Sequence, residues 1–158
     1  MKNQFLKAIV AAAFLIAVGL ISSANAQKVN GSIGNGTVKL GVPTRGTVVL
    51  NIPGNLHVNS SRPGSEYAIP TSVRVTSSGG VRIGAVNYPR GKNRKFEFSE
   101  NTINVYEGRT TFSFNVTVPK NYRNMAVKVN VTVRYQACTN EVCYPPKSKK
   151  LTLTATVL

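Results

Sequence analysis

The sequence contains no tryptophan, no aspartate, one histidine (His57), two cysteines, and five acidic residues, all glutamate. Each shortage removes a class of chemistry. A Ser/His/Asp set cannot be assembled, and no glycine-rich phosphate loop is present, so hydrolase and nucleotide chemistry find no support. Glu97 and Glu100 could be paired carboxylates, but their setting reads as a solvated strand or turn. A closed zinc site needs four ligands, which two cysteines and a distant histidine do not supply; a two-thiolate Cu(I) site stays chemically possible. His57, following Leu56 in a turn-rich stretch, reads as a surface or packing residue rather than a ligand or a base. Neither a metal nor a cofactor is expected.

Long apolar runs are equally scarce. One stretch, Ala8 to Ile21, follows Lys2 and Lys7 and precedes Ala24-Asn25-Ala26. It is too short for a comfortable membrane span, and its flanks are those of a secretory signal peptide covering residues 1–26. The mature chain is then expected to start near Gln27, exported and soluble, with about 132 residues, enough for one domain with its own core.

What is abundant is positive charge. The chain carries 20 Lys+Arg and a net charge of +15, or +13 once Lys2 and Lys7 are removed with the leader. Export argues against nucleic acid and leaves an anionic envelope surface or an acidic protein as the natural counterpart. Most of these cations are scattered singly, as solvated strand faces require.

Helical periodicity is nearly absent after residue 26, and alternation with period two is everywhere. Ala126 to Tyr135 places Val127, Val129, Val131, Val133 and Tyr135 on one face and Lys128, Asn130, Thr132 and Arg134 on the other. Thr110 to Val118 and Lys150 to Val157 behave likewise. Weaker strands are expected over 37–40, 47–52, 72–76, 81–85 and 102–106. Asn35-Gly36, Pro53-Gly54, Pro63-Gly64, Gly79-Gly80 and Glu107-Gly108 supply the turns. Roughly eight short strands with this punctuation predict an all-β, immunoglobulin-like antiparallel β-sandwich, a small barrel being the alternative. Gln27 to Gly36 reads as a flexible N-terminal lead, and 37–158 as the domain.

The cysteine pair occupies Tyr135-Gln136-Ala137-Cys138-Thr139-Asn140-Glu141-Val142-Cys143-Tyr144-Pro145-Pro146. A bridge across so short a loop stabilises by about 2 kcal/mol or less in the chain-entropy picture, and less if strands already close the turn. It is a poor staple. If 126–135 and 150–157 are the arms of a hairpin, however, the two residues face each other at its end, within reach of a disulfide. Continued alternation places Cys138 on the solvent side with Arg134, making the bridge exchangeable. Arg134, Lys147, Lys149 and Lys150 would favour a thiolate against the single Glu141. A passive structural bridge on a non-enzymatic binding or adaptor domain is the competing reading.

These residues resemble the N-terminal, periplasmic domain of the DsbD-type thiol:disulfide interchange proteins. The match is strongest in Tyr135-Gln136-Ala137-Cys138 and Cys143-Tyr144-Pro145-Pro146. It extends through Val105-Tyr106-Glu107-Gly108, Tyr88-Pro89, Ile69-Pro70-Thr71 and His57-Val58-Asn59, covering about residues 50–157. The resemblance implies a thiol:disulfide oxidoreductase of the protein-disulfide reductase type, with Cys143 forming the mixed disulfide and Cys138 resolving it. It implies an aromatic cap over the sulfurs, for which Phe96 and Phe98 are the candidates, with Tyr135 and Tyr144 as supporting residues. With the sequence ending at Leu158, the electron donor is expected in trans, as a thioredoxin-like or membrane thiol:disulfide oxidoreductase. Other periplasmic disulfide-bearing proteins are the expected acceptors, and the chain is expected to be a monomer. The loop between the cysteines is one residue shorter than in the best-known members.

Overall fold

The computed structural model describes residues 27–158; the leader read in residues 1–26 lies outside them. The described residues form twelve strands and no helix. In chain order these are β1 (Lys28–Ile33), β2 (Thr37–Val38), β3 (Thr44–Asn51), β4 (His57–Asn59), β5 (Ser72–Ser77), β6 (Arg82–Ile83), β7 (Lys92–Arg94), β8 (Ile103–Tyr106), β9 (Arg109–Thr117), β10 (Ala126–Tyr135), β11 (Ala137–Cys138) and β12 (Lys147–Val157). Two four-stranded sheets, ordered β1-β3-β9-β6 and β2-β12-β10-β5, make the immunoglobulin-like sandwich. A third, β11-β4-β8-β7, stands beside them and carries the cysteine end of the molecule.

Alternation explains the two large sheets. In β10 every odd position from Val127 to Tyr135 is buried, while Lys128, Asn130 and Arg134 are exposed. The inward row meets Val48, Leu50, Phe112, Phe114 and Val116 from the opposite sheet in one continuous core. Each buried side chain of this size contributes about 1.5–3 kcal/mol. β10 and β12 pair antiparallel from Ala126↔Thr156 to Tyr135↔Lys147, the hairpin predicted from the sequence. Gly46 lies opposite Phe114, and a Cβ there would collide with the ring, so the close approach requires glycine.

Two expectations change. The segment read as a flexible lead contains β1, which pairs antiparallel with β3 from Lys28↔Asn51 to Ile33↔Gly46. Its glycine and asparagine content hid a strand whose stability comes from backbone pairing along β3 and from burial of Ile33. Gln27 is held by the Tyr135 hydroxyl, 3.3 Å from its Oε1. The sandwich is also not wholly antiparallel, because β2 runs parallel to the end of β12.

Candidate functional site

The site begins with a break in β10. Gln136 follows the last residue of β10: its Oε1 accepts from Asn59 Nδ2 at 3.0 Å and from the Ile69 amide at 3.3 Å. Asn59 Nδ2 also donates to the Ile69 carbonyl at 3.1 Å. Anchored there, the chain leaves the β10–β12 ladder, and β11 pairs instead with β4, Ala137 opposite Val58 and Cys138 opposite His57. Tyr135 and Ala137 keep the inward phase of β10 in the main core, whereas Cys138, on the other face, lies opposite His57, whose ring stacks on Phe96. Cys138 is therefore fully buried, not on the solvent side where continued alternation places it.

Beyond Cys138 the chain turns through Thr139-Asn140-Glu141-Val142. The Thr139 amide donates to the Val142 carbonyl at 2.8 Å, and Thr139 Oγ1 accepts from the amides of Glu141 and Val142. Below it, the Tyr144 amide donates to the Ala137 carbonyl at 2.9 Å. Cys138 and Cys143 thus form a non-hydrogen-bonded antiparallel pair, the pairing that brings opposed side chains closest. They are joined as a disulfide with Cα atoms 4.0 Å apart. Backbone and Thr139 bonds already close this turn, leaving the bridge little to constrain.

Exposure separates the sulfurs' residues. Cys143 is half-buried and lines a cleft of about 570 Å³ together with Asn59, Tyr67, Phe98, Ile103 and Gln136. Phe96 and Phe98 sit on the turn after β7, closed by the Ser99 amide donating to the Phe96 carbonyl. Their rings stack with centroids 5.2 Å apart, and Phe96 in turn stacks on His57 at 4.2 Å. Phe96 is buried with Ile103 and Val105 in a small second core, while Phe98 is 42% exposed at the cleft. Tyr144 is exposed beside Cys143, whereas Tyr135 belongs to the main core. Glu97 and Glu100 are exposed on the same turn segment.

His57, read from the sequence as a surface or packing residue, and Asn59 and Gln136, which entered only through the family resemblance, also stand at this end of the molecule. His57 is 4% exposed, and its Nε2 is the one buried side-chain polar atom among the described residues without a hydrogen-bond partner. Burial holds its pKa below the ordinary 6.5; Glu107 opposes this shift and Arg94 adds to it. Glu107 receives Arg94 at 2.9 Å and Lys92 at 3.3 Å, and the Arg94 hydrogen bond is the main reason its carboxyl titrates low. The signal for β4 was faint because all three of its residues are buried, which erases alternation. No group of three or more His, Cys, Asp or Glu side chains comes together among the described residues to hold a metal.

A sandwich with a two-residue strand that ends in a disulfide across a short turn defines the class: an immunoglobulin-like domain bearing a strand-end cysteine pair. The family model of the N-terminal domain of the thiol:disulfide interchange protein DsbD matches residues 43–155, and the chain belongs to that family. Among solved structures it is similar to the reduced DsbD N-terminal domain of Neisseria meningitidis, with a TM-score of 0.53, 14% identity, and coverage of 89% of this chain and 94% of that one. It is also similar to the N-terminal periplasmic domain of ScsB from Proteus mirabilis, with a TM-score of 0.52, 13% identity, and coverage of 85% of this chain and 49% of that one. No curated protein matches. At these identities the structural likeness establishes the fold.

Proposed function

We propose that the chain is a periplasmic thiol:disulfide exchange module. It passes reducing equivalents through Cys138 and Cys143 between a thioredoxin-like or membrane thiol:disulfide oxidoreductase and disulfides of other periplasmic proteins. The observation that carries this reading is the asymmetry of the pair, with Cys143 at the rim of a cleft and Cys138 buried behind it. An incoming thiolate can approach only the sulfur that solvent reaches. Attack at Cys143 Sγ breaks the Cys138–Cys143 bond, releases Cys138 and forms a mixed disulfide. The donor's second thiolate then attacks its own bridged sulfur, so the donor leaves oxidised and the pair remains as two thiols. Toward an acceptor the order reverses: Cys143 attacks, Cys138 resolves, and the acceptor departs with both electrons.

Phe98 and Phe96 act as the cap, shielding Cys143 between encounters, and Tyr144 forms part of the rim that meets a partner. Tyr135 supports the pair from the core by fixing the end of β10. The signal peptide read in residues 1–26 and the periplasmic placement of the related ScsB domain support the location.

Replacing Cys138 by alanine tests the assignment. Cys138→Ala should accumulate mixed disulfides through Cys143 with a thioredoxin-like partner, detected as thiol-sensitive adducts on a non-reducing gel. Absence of adducts, together with a reduction potential below about −300 mV, would identify a passive bridge on an adaptor domain instead.

A further inference from the structure

Three observations converge on His57. It is directly opposed to Cys138 across β4 and β11, and Cys138 is opposed to Cys143, so the three side chains leave one face of the sheet as adjacent neighbours. Its Nε2 is buried and has no hydrogen-bond partner while the cysteines are bridged. Its ring is fixed by stacking on Phe96, which Phe98 stacks in turn. An orphaned buried polar atom is unfavourable unless another state of the molecule supplies its partner. Reduction supplies one at the neighbouring position, because Cys138 then carries a thiol, a donor, in a buried position.

We infer that His57 is the proton partner of Cys138, accepting the Cys138 S–H at Nε2 in the reduced chain and taking that proton as Cys138 attacks. This rests on the exchange role proposed for the pair. In the resolving step the proton passes from Cys138 Sγ to Nε2, and the Cys138 sulfur attacks Cys143 Sγ. The Cys138–Cys143 bond forms, the bond from Cys143 to the partner sulfur breaks, and the partner leaves as a thiolate carrying the electron pair. In the opposite direction His57 first takes up a proton from solvent; Cys138 then leaves as a thiolate and receives that proton from the imidazolium, which returns to its neutral form. The desolvation that disfavours a buried thiolate is relieved because anion and cation appear together, side by side. Burial of His57 lowers its pKa, which favours the neutral imidazole, the form that can accept. The charged groups flanking this corner are Arg94, Lys92 and Glu107, paired with one another, and Lys95, Glu97 and Glu141, which line an adjoining groove with Phe96.

The test needs no biological partner. Reduced protein mixed with 5,5′-dithiobis(2-nitrobenzoic acid) releases one thionitrobenzoate as Cys143 is captured and a second as Cys138 resolves the adduct. His57→Phe keeps the stack on Phe96 and removes both ring nitrogens. The first release should stay within about twofold of the wild type, and the second should slow by about tenfold or more. In the wild type the second rate should change little between about pH 6.5 and 8, whereas in His57→Phe it should climb with pH toward the thiol pKa. An unchanged second phase, or slowing with the wild-type pH profile retained, overturns the inference. Because His57 is the sole histidine, its imidazole 15N shifts give an independent reading on unaltered protein. Nε2 should move on reduction, and identical shifts in the two redox states would overturn it equally. Failure to capture partner proteins, with both thionitrobenzoate phases intact, would count against the exchange role and not against His57.

Discussion

At the scale of single residues, burial sets the chemistry. Desolvation holds the pKa of folded His57 below 6.5, with the Arg94 charge adding to the effect and Glu107 opposing it. The unfolded chain binds a proton there as pH falls through 6.5, while the folded chain resists, so stability present above 6.5 is progressively lost below it. Glu107 behaves in the same sense in a lower window: its depressed carboxyl contributes above its ordinary 4.5 and loses that contribution as pH falls further. Its partners are exposed, so its share is small. Thermal unfolding of the oxidised protein is therefore expected to show a midpoint that drops between about pH 7 and 5.5, and His57→Phe should flatten that drop. A parallel slope in the variant would assign the drop to other groups.

At the scale of elements, the decisive event is the transfer of one chain from one sheet to another over a single residue. Gln136 ends β10 and commits Ala137 and Cys138 to β4 by its bonds with Asn59 and Ile69. Thr71 reinforces the same corner by donating its hydroxyl to the Asn59 carbonyl. Gln136→Ala removes an acceptor from the Asn59 amide, which is buried, at an expected cost of about 1–3 kcal/mol. The same variant should raise the access of the reduced Cys138 thiol to an alkylating reagent, read by mass spectrometry after timed quenching. If Cys138 stays as protected as in the wild type, the β4–β11 pairing alone holds it. β4 and β11 were the elements least visible in the sequence, since strands of three and two residues, wholly buried, carry no period.

At the scale of the molecule, the apolar core and the cysteine pair occupy different places. The sandwich core runs through β3, β9, β10 and β12 without the cysteines, and Cys138 lies outside its cluster. Reducing the disulfide should thus leave the fold intact and cost about 2 kcal/mol or less, whereas Phe112→Ala, deep in the core, should cost about 3–5 kcal/mol. Chemical denaturation of the oxidised protein, the reduced protein and the core variant compares the three directly. Loss of cooperative folding on reduction would make the bridge structural after all. Several features followed from the sequence by itself. Period-two alternation fixed the β10–β12 hairpin and the sandwich class, because a half-buried strand must alternate. The short loop made the bridge a weak staple, because loop-closure entropy depends on residues enclosed. The cysteine block and the segments that accompany it identified the family. Tertiary structure decided the rest. Backbone pairing with β3 turned the apparent lead into β1, and pairing of β11 with β4, opposite a His57 stacked on Phe96, buried Cys138. Pairing between residues 81 positions apart set His57 opposite Cys138, a juxtaposition made by register between strands and so absent from any local pattern.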